Sequence, residues 1–272
     1  MNPGTPRSVS VCLPALDEAG NLEAMSREIA AAIRPCFDHV EIVVVDDGSR
    51  DDTPQVLARL CGQDESLHVV RHERTRGYGA ACRSALGGAR NEALLLTDAD
   101  RQFDLRDIAR FVEALQGADV VIGYRTRRRD PWRRIVSGWL WSRLVNLLLG
   151  YTARDVNCAF KLMRREVFAA IAPALRCDGA AFNAEWLGLA RRAGFRVREL
   201  PVGHRPRLTG RPTGGRPRVI LKGLGELVRI RRRLGAAGSR QEGPLPAAVR
   251  DGSAADVDAG DGASARTDSK SV

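Results

Sequence analysis

The sequence predicts an α/β fold in which a mostly parallel sheet is flanked by helices, followed by a disordered C-terminal tail. Three observations carry this. Short β-branched runs alternate with helical patterns through the first half, the residues that follow those runs are polar, and the composition changes abruptly near residue 235. Alternation of this kind calls for parallel strands joined by crossover helices.

"SVSVCL" (8–13), "VEIVVV" (40–45), "LHVV" (67–70), "ALLLT" (93–97) and "DVVIG" (119–123) read as buried strands. Between them, residues 21–33, 53–61, 79–89 and 105–115 carry helical patterns. Thr53 before Pro54 reads as a helix start, hydroxyl cap then proline. Asp104 reads as the cap of the helix that begins near Leu105. From Gly235 onward Ala, Gly, Ser, Asp and Pro replace almost every large apolar residue, so that segment cannot offset its ordering entropy. The expected organisation is one domain over 1–235 and a disordered tail over 236–272.

Of 272 residues, 44% are hydrophobic, enough for a sizeable core. The formal charge is +10; the tail is net −2, which leaves +12 on the body and implies an anionic partner. The six cysteines are dispersed without a C-x-x-C pair, and the first residues lack the apolar run of a signal peptide. No stretch reaches the roughly 18 to 20 apolar residues of a membrane span. A reduced, cytoplasmic protein is the expectation.

In a sheet of this class, ligands bind beyond the carboxyl ends of the strands. Those ends read "PALDEAGN", "DDGSRDD", "DADRQ" and "YRTRRR". The densest is "TDADRQFD" (97–104), where Asp98, Asp100 and Gln102 follow one another at alternate positions. In an extended segment alternate side chains point the same way, so three oxygens face one point. Hard oxygen ligands suit Mg²⁺ or Mn²⁺, which share themselves with substrate phosphates, and such an ion offsets the repulsion between the acids.

"LPALDEAGNL", "VVVDDGSRDDT", "RGYGAACRSAL", "TDADRQFD" and "RDVNCAFKLMRR", in this order, resemble the family 2 inverting glycosyltransferases of GT-A (Rossmann-like) fold. Within that family the resemblance is to dolichol-phosphate mannosyltransferases and bacterial polyprenyl-phosphate glycosyltransferases, and it covers about residues 8–210. It implies that Pro14, Leu16 and Glu18 line the nucleotide base and ribose, and that one of Asp46 and Asp47 contacts them. It implies further that Arg76, Gly77 and Gly79 form a turn near the nucleotide and that Asp98, Asp100 and Gln102 hold the metal on the donor diphosphate. The family's usual Asn-Glu in the first motif is Asp17-Glu18 here. Asp155 resembles the acceptor-side acid; a cap, or a salt bridge to Arg154 or Arg164, is the structural alternative. Arg205 and Arg207 resemble basic residues of a mobile loop that closes over the phosphates. The implied donor is a nucleotide sugar of GDP-mannose or UDP-hexose type, and the implied acceptor is a polyprenyl phosphate.

Residues 132–151 combine Trp132, Trp139, Trp141 and Tyr151 with several leucines, directly after Arg127, Arg128, Arg129, Arg133 and Arg134. Cations beside Trp and Leu suit an interfacial helix, and 219–235 is a second candidate. The expected location is peripheral, at the inner face of a membrane, with recruitment by a membrane-anchored partner protein as one route. A soluble hydroxyl acceptor is the alternative. A nucleotidylyltransferase lacks support because its Gly-rich basic N-terminal loop is replaced by an acidic one. A nucleic-acid-binding module leaves the strand-end acids unexplained, so no nucleic-acid partner is expected. Deletion of residues 240–272 is expected to leave activity and melting temperature nearly unchanged in a thermal melt, because the segment has no apolar face to dock.

Overall fold

The structure, a computed structural model, describes residues 4–126, 131–207 and 217–238. Expectations for Arg127–Arg129, for 208–216 and for the chain beyond 238 lie outside those residues. Seven strands form one sheet: β1 (Ser8–Ala15), β2 (His39–Asp46), β3 (Leu67–Arg71), β4 (Ala93–Leu96), β5 (Val120–Thr126), β6 (Lys161–Arg164) and β7 (Val197–Gly203), in the order β3-β2-β1-β4-β6-β5-β7. All neighbours pair parallel except β6, which runs antiparallel to β4 and β5. The mostly parallel sheet is as expected, and the central antiparallel insertion is an addition to it.

Two cores lie against the two faces. On one, α1 (Ala19–Ala32), α2 (Thr53–Gln63) and α4 (Ile108–Leu115) contribute Leu22, Met25, Ile29, Leu57, Ile108 and Phe111. On the other, α3 (Tyr78–Gly88), α5 (Trp132–Leu149), α6 (Arg165–Ile171), α7 (Phe182–Arg192) and α8 (Pro217–Gly238) contribute Cys82, Val145, Val167, Trp186, Leu227 and Ile230. β1 is buried along almost its whole length because both of its faces are covered.

Several local readings change in the folded chain. Thr53 is the first residue of α2 rather than its cap, and its hydroxyl accepts the Glu18 N–H at 2.9 Å. Asp104 does cap, accepting the Arg106 N–H at 3.2 Å, but it opens a 3₁₀ turn over Leu105–Asp107 that precedes α4. α8 continues to Gly238, past the boundary expected at 235, because Ala236 and Ala237 favour helix. Pro14 sits inside β1 opposite Val45, on the side of the strand where the β4 ladder has already ended at Cys12–Leu96, so its missing N–H breaks no pairing. In α5, Trp132, Trp139 and Tyr151 beyond its end are exposed, whereas Trp141 turns inward and meets Gly223 of α8.

Candidate active site

The carboxyl ends of β1, β2, β4, β5 and β7 open on one edge of the sheet. Because β6 runs the other way, its first residue, Lys161, lies at the same edge. The first two loops are laced together: Asp17 N–H donates to Ser49 Oγ at 2.9 Å, Arg50 N–H to Asp17 Oδ1 at 2.8 Å, and Asp47 N–H to Ala15 O at 2.9 Å. Asp17 has φ +55°, the left-handed conformation that Asn and Asp tolerate best among non-glycine residues. Leu16 is exposed at the mouth, while Glu18 is buried and accepts the Asn21 side-chain amide at 2.5 Å. Burial pushes the Glu18 carboxyl up, against Asn21 and Arg207 and with the help of Asp100.

The acidic pair after β2 divides its work. Asp47 accepts the N–H groups of Arg76 at 2.9 Å and Gly77 at 2.8 Å and meets His72 Nδ1 at 2.6 Å, so it holds the turn after β3 and offers little to a ligand. Asp46 accepts the Ser49 N–H at 2.9 Å through Oδ1; its Oδ2 is buried without a hydrogen bond, 3.4 Å from Arg71 Nε. Of the pair, Asp46 therefore carries the unsatisfied acceptor. The resemblance puts Gly77 and Gly79 in a turn near the nucleotide; in the fold their close approach is to protein. A Cβ on Gly77 would lie 2.5 Å from Asp178 O, and one on Gly79 would lie 2.9 Å from the Asp178 carbonyl carbon. Arg76 is exposed and reaches Asp47 through its backbone.

After β4 the chain turns instead of continuing extended: Asp100 Oδ1 accepts the Gln102 N–H at 3.1 Å and Arg101 has φ +59°. The expected alternation is thus replaced by a tight turn, which still brings Asp98 and Asp100 together. Burial first, and the Asp100 charge second, push the Asp98 carboxyl up to about 7, against Lys161, a Tyr78 hydrogen bond and Arg125. Burial also raises Asp100, with Arg207, Arg134 and Arg125 opposing. Gln102 donates its side-chain amide to Arg205 O at 3.2 Å and accepts the Arg205 N–H through its carbonyl at 2.7 Å, which stitches this turn to the segment after β7. Its amide oxygen remains for a ligand.

Two carboxylates short of countercharge and one amide oxygen form a hard donor set that fits a divalent cation. Among the described residues no three His, Cys, Asp or Glu side chains form a closed cage, so phosphates and water would complete the shell. Arg207 stands where such a cation is needed: it pairs with Glu18 Oε1 and lies 3.3 Å from Asp100 Oδ2. Arg205, the other basic candidate, turns away to Asp104 Oδ2 at 3.0 Å and Glu28 at 3.8 Å, because its backbone is already pinned to Gln102.

Asp155 pairs with neither Arg154 nor Arg164. It receives a bidentate fork from Arg125, Nε to Oδ2 at 2.7 Å and Nη2 to Oδ1 at 2.8 Å, plus the Arg125 N–H at 3.2 Å. Lys161 is fully buried, donates to Cys158 O, and feels both Asp98 and Asp155. Sequence reasoning passed over Lys161, Tyr78 and Arg125 as individual site residues. The lone charge in the apolar run "AFKLM" was the available signal for Lys161.

Residues 10–172 match the pattern of Glycosyl transferase family 2. Glycosyltransferase AglD of Haloferax volcanii is 34% identical over 207 residues, which cover 73% of this chain and 33% of that protein. Undecaprenyl-phosphate 4-deoxy-4-formamido-L-arabinose transferase of Pseudomonas paraeruginosa is 37% identical over 172 residues, 60% of this chain and 49% of that one. Its namesake in Aeromonas hydrophila is 30% identical over 212 residues, 77% and 64% respectively. The chain thus spans less than two thirds of the length of each of these relatives. Among solved structures, glucosyl-3-phosphoglycerate synthase of Mycobacterium tuberculosis with uridine diphosphate superposes with a TM-score of 0.62 at 20% identity, over 83% of this chain and 80% of that one. Mannosyl-3-phosphoglycerate synthase of Rubrobacter xylanophilus gives 0.62 at 19% identity, over 90% and 78%. These likenesses bear out the GT-A-type fold.

The raised Asp98 carboxyl generates a pH prediction. A carboxyl whose native pKa lies above its unfolded value binds its proton more tightly in the folded state, so stability falls as pH rises from the unfolded value through about 7. In chelator-treated protein, Asp98→Asn is expected to flatten the decline in melting temperature between about pH 6 and about pH 8, where each kcal/mol is worth about 2–4 °C. Parallel melting curves of wild type and variant check this; identical slopes would refute it.

Proposed function

The chain belongs to glycosyltransferase family 2, and on that premise we propose that it is a metal-dependent inverting glycosyltransferase that moves a sugar from a nucleotide-sugar donor to a polyprenyl phosphate. The observation that carries the choice of acceptor is the fork between Arg125 and Asp155. A hydroxyl acceptor must lose its proton as it attacks and needs a positioned base. Asp155, neutralised by a bidentate guanidinium, is a poor base. A lipid monophosphate, with a second pKa near about 6, arrives ionised and needs positive charge instead. The names of the two undecaprenyl-phosphate transferases among its relatives support the same reading.

On the donor side, Asp46 and Glu18 orient the nucleoside, and the Arg76–Gly79 turn sets the wall beside it. Asp98, Asp100 and the Gln102 amide oxygen would hold Mg²⁺ or Mn²⁺; a glucosyl-3-phosphoglycerate synthase with this fold was crystallised with Mn²⁺ and UDP-glucose. Such an ion supplies Lewis-acid stabilisation of the departing diphosphate. Arg207 is the side chain placed to carry positive charge onto the phosphates. The base and sugar of the donor are specified only to class, GDP-mannose or UDP-hexose.

We place the enzyme peripherally on a membrane, at its cytoplasmic face. Trp132 is 69% exposed, Trp139 55% and Leu147 80% on or beside α5, and Leu221 is 69% exposed on α8. Arg133 and Arg143 sit over the Trp132 and Trp139 rings at 5.6 and 5.2 Å. Apolar and aromatic groups with cations beside them suit anionic lipid headgroups. Among the described residues no helix is long and apolar enough to cross a membrane. All six cysteines are free, in keeping with a reducing compartment.

Incubation with GDP-mannose, UDP-glucose or UDP-N-acetylglucosamine, polyprenyl phosphate and Mn²⁺ is expected to yield a glycolipid and free nucleoside diphosphate; no product from any donor would overturn the proposal. Asp155→Asn is expected to lower transfer by about tenfold or more, a loss of roughly 1.4 kcal/mol of transition-state stabilisation, while nucleotide affinity is unchanged. Equal loss of both would make Asp155 part of the donor pocket or the fold.

Vesicles containing anionic lipid are expected to bind wild type at low salt, and Trp132→Ser with Trp139→Ser to release it in a flotation assay. A wild type that ignores the vesicles would favour a soluble acceptor.

A further inference from the structure

We propose that Glu226, on α8, is a positioning residue of the transfer reaction: it fixes the 177–181 loop and, through it, the Arg76–Gly79 turn. This rests on the reading of that turn as a wall of the donor site.

α3 begins at Tyr78, and its first N–H groups have no partner within the helix. No side chain of the adjoining residues caps them. Their acceptor comes from far along the chain: Gly79 N–H donates to Asp178 O at 2.9 Å and Ala80 N–H to the same oxygen at 3.3 Å. Arg83, one turn further, reaches Cys177 O at 2.5 Å and also pairs with the Asp178 carboxylate. The position of one carbonyl therefore sets the start of α3 and the turn before it. From the other side that turn is gripped by Asp47, which accepts the Arg76 and Gly77 N–H groups.

The residues on either side of that carbonyl are held by two buried carboxylates. Glu185 of α7 accepts Arg176 N–H at 3.0 Å and Cys177 N–H at 2.7 Å. Glu226 accepts Ala181 N–H at 3.2 Å and the Cys177 thiol at 3.4 Å, and it lies against Gly179 so closely that any Cβ there would overlap its Oε1. α8 also supplies Arg233, which pairs with Glu185 at 2.5 Å. Glu226, Gly179, Asp178 O, Gly79 and Gly77 thus form a column without slack: at Gly77, Gly79 and Gly179 a single methyl group would meet protein atoms at 2.9 Å or less. Displacing the carboxylate at one end moves the turn at the other. A turn that contacts the donor alike in ground and transition states affects KM rather than kcat.

Three readouts on Glu226→Ala and Glu226→Gln test this. Glu226→Ala is expected to raise amide exchange at Gly79 and Ala80 by about tenfold or more while β4 amides keep wild-type protection. The donor KM is expected to rise by about tenfold with kcat within about twofold. Glu226→Gln, whose amide oxygen still accepts the Ala181 N–H, is expected to restore most of both. If the Ala variant does not fold, Glu226→Asp, which withdraws the carboxylate by one methylene, takes its place and is expected to move both readouts in the same direction. Wild-type exchange at Gly79 and Ala80 in the truncated variant would overturn the proposal. So would kcat falling while KM stays, or a Gln variant no better than Ala. Should wild type turn over no nucleotide sugar, the functional reading fails on its own, and the exchange measurement still decides whether Glu226 sets the turn.

Discussion

Half-buried Asp98 and buried Asp100 repel one another, and cations around the cleft offset that repulsion. Two unit charges about 4 Å apart cost on the order of 4 kcal/mol at an effective dielectric of about 20. The protein reduces this partly by proton uptake on Asp98 and partly by cations from four distant places: Lys161 on β6, Arg125 on β5, Arg134 on α5 and Arg207 after β7. Lys161 shows how far the compensation goes. A fully buried ammonium that donates to a carbonyl is costly in an apolar core; burial lowers its pKa, and Cys158, Asp98 and Asp155 oppose that shift.

The topology explains why these charges meet. In an all-parallel sheet, every strand presents its carboxyl end to the ligand edge. Reversing β6 between β4 and β5 puts an amino end there instead, so Lys161 arrives between the strand followed by Asp98 and Asp100 and the strand that carries Arg125. The short path from Asp155 to the start of β6 then lets Asp155 fold back onto Arg125. Asp98 and Asp155 thus share one buried cation.

Local chemistry was legible in the sequence; long-range partnership was not. β1 to β5, α1 to α4 and the Asp104 cap depend on neighbours within a few residues and could be read directly, whereas β6, β7 and the turn that replaces the expected alternation of Asp98, Asp100 and Gln102 were not. Asp178 O as the acceptor for α3, Arg125 as the partner of Asp155, and the role of Asp47 in holding a turn about 30 residues away depend on topology, which no local pattern encodes. The packing of Gly77 and Gly79 against the 177–179 backbone is likewise a long-range contact that the motif around them does not encode. The inward turn of Trp141 was legible and missed: residues two apart on a helix point about 200° away from each other, so Trp139 and Trp141 cannot share a lipid-facing surface.

Arg207 joins these arguments at the centre of the cleft. Its guanidinium spans Glu18 after β1 and Asp100 after β4, so one cation bridges two loops of the cleft. On the proposed function, Asp98 and Asp100 would hold a divalent ion that competes with Arg207 for Asp100. The guanidinium would then be available to donor phosphate oxygens, and the acids would stay compensated. Arg205 is engaged elsewhere, its backbone bonded to Gln102 and its side chain paired with Asp104. Two arginines two residues apart thus serve different acids, Arg205 on Asp104 and Arg207 on Glu18 and Asp100.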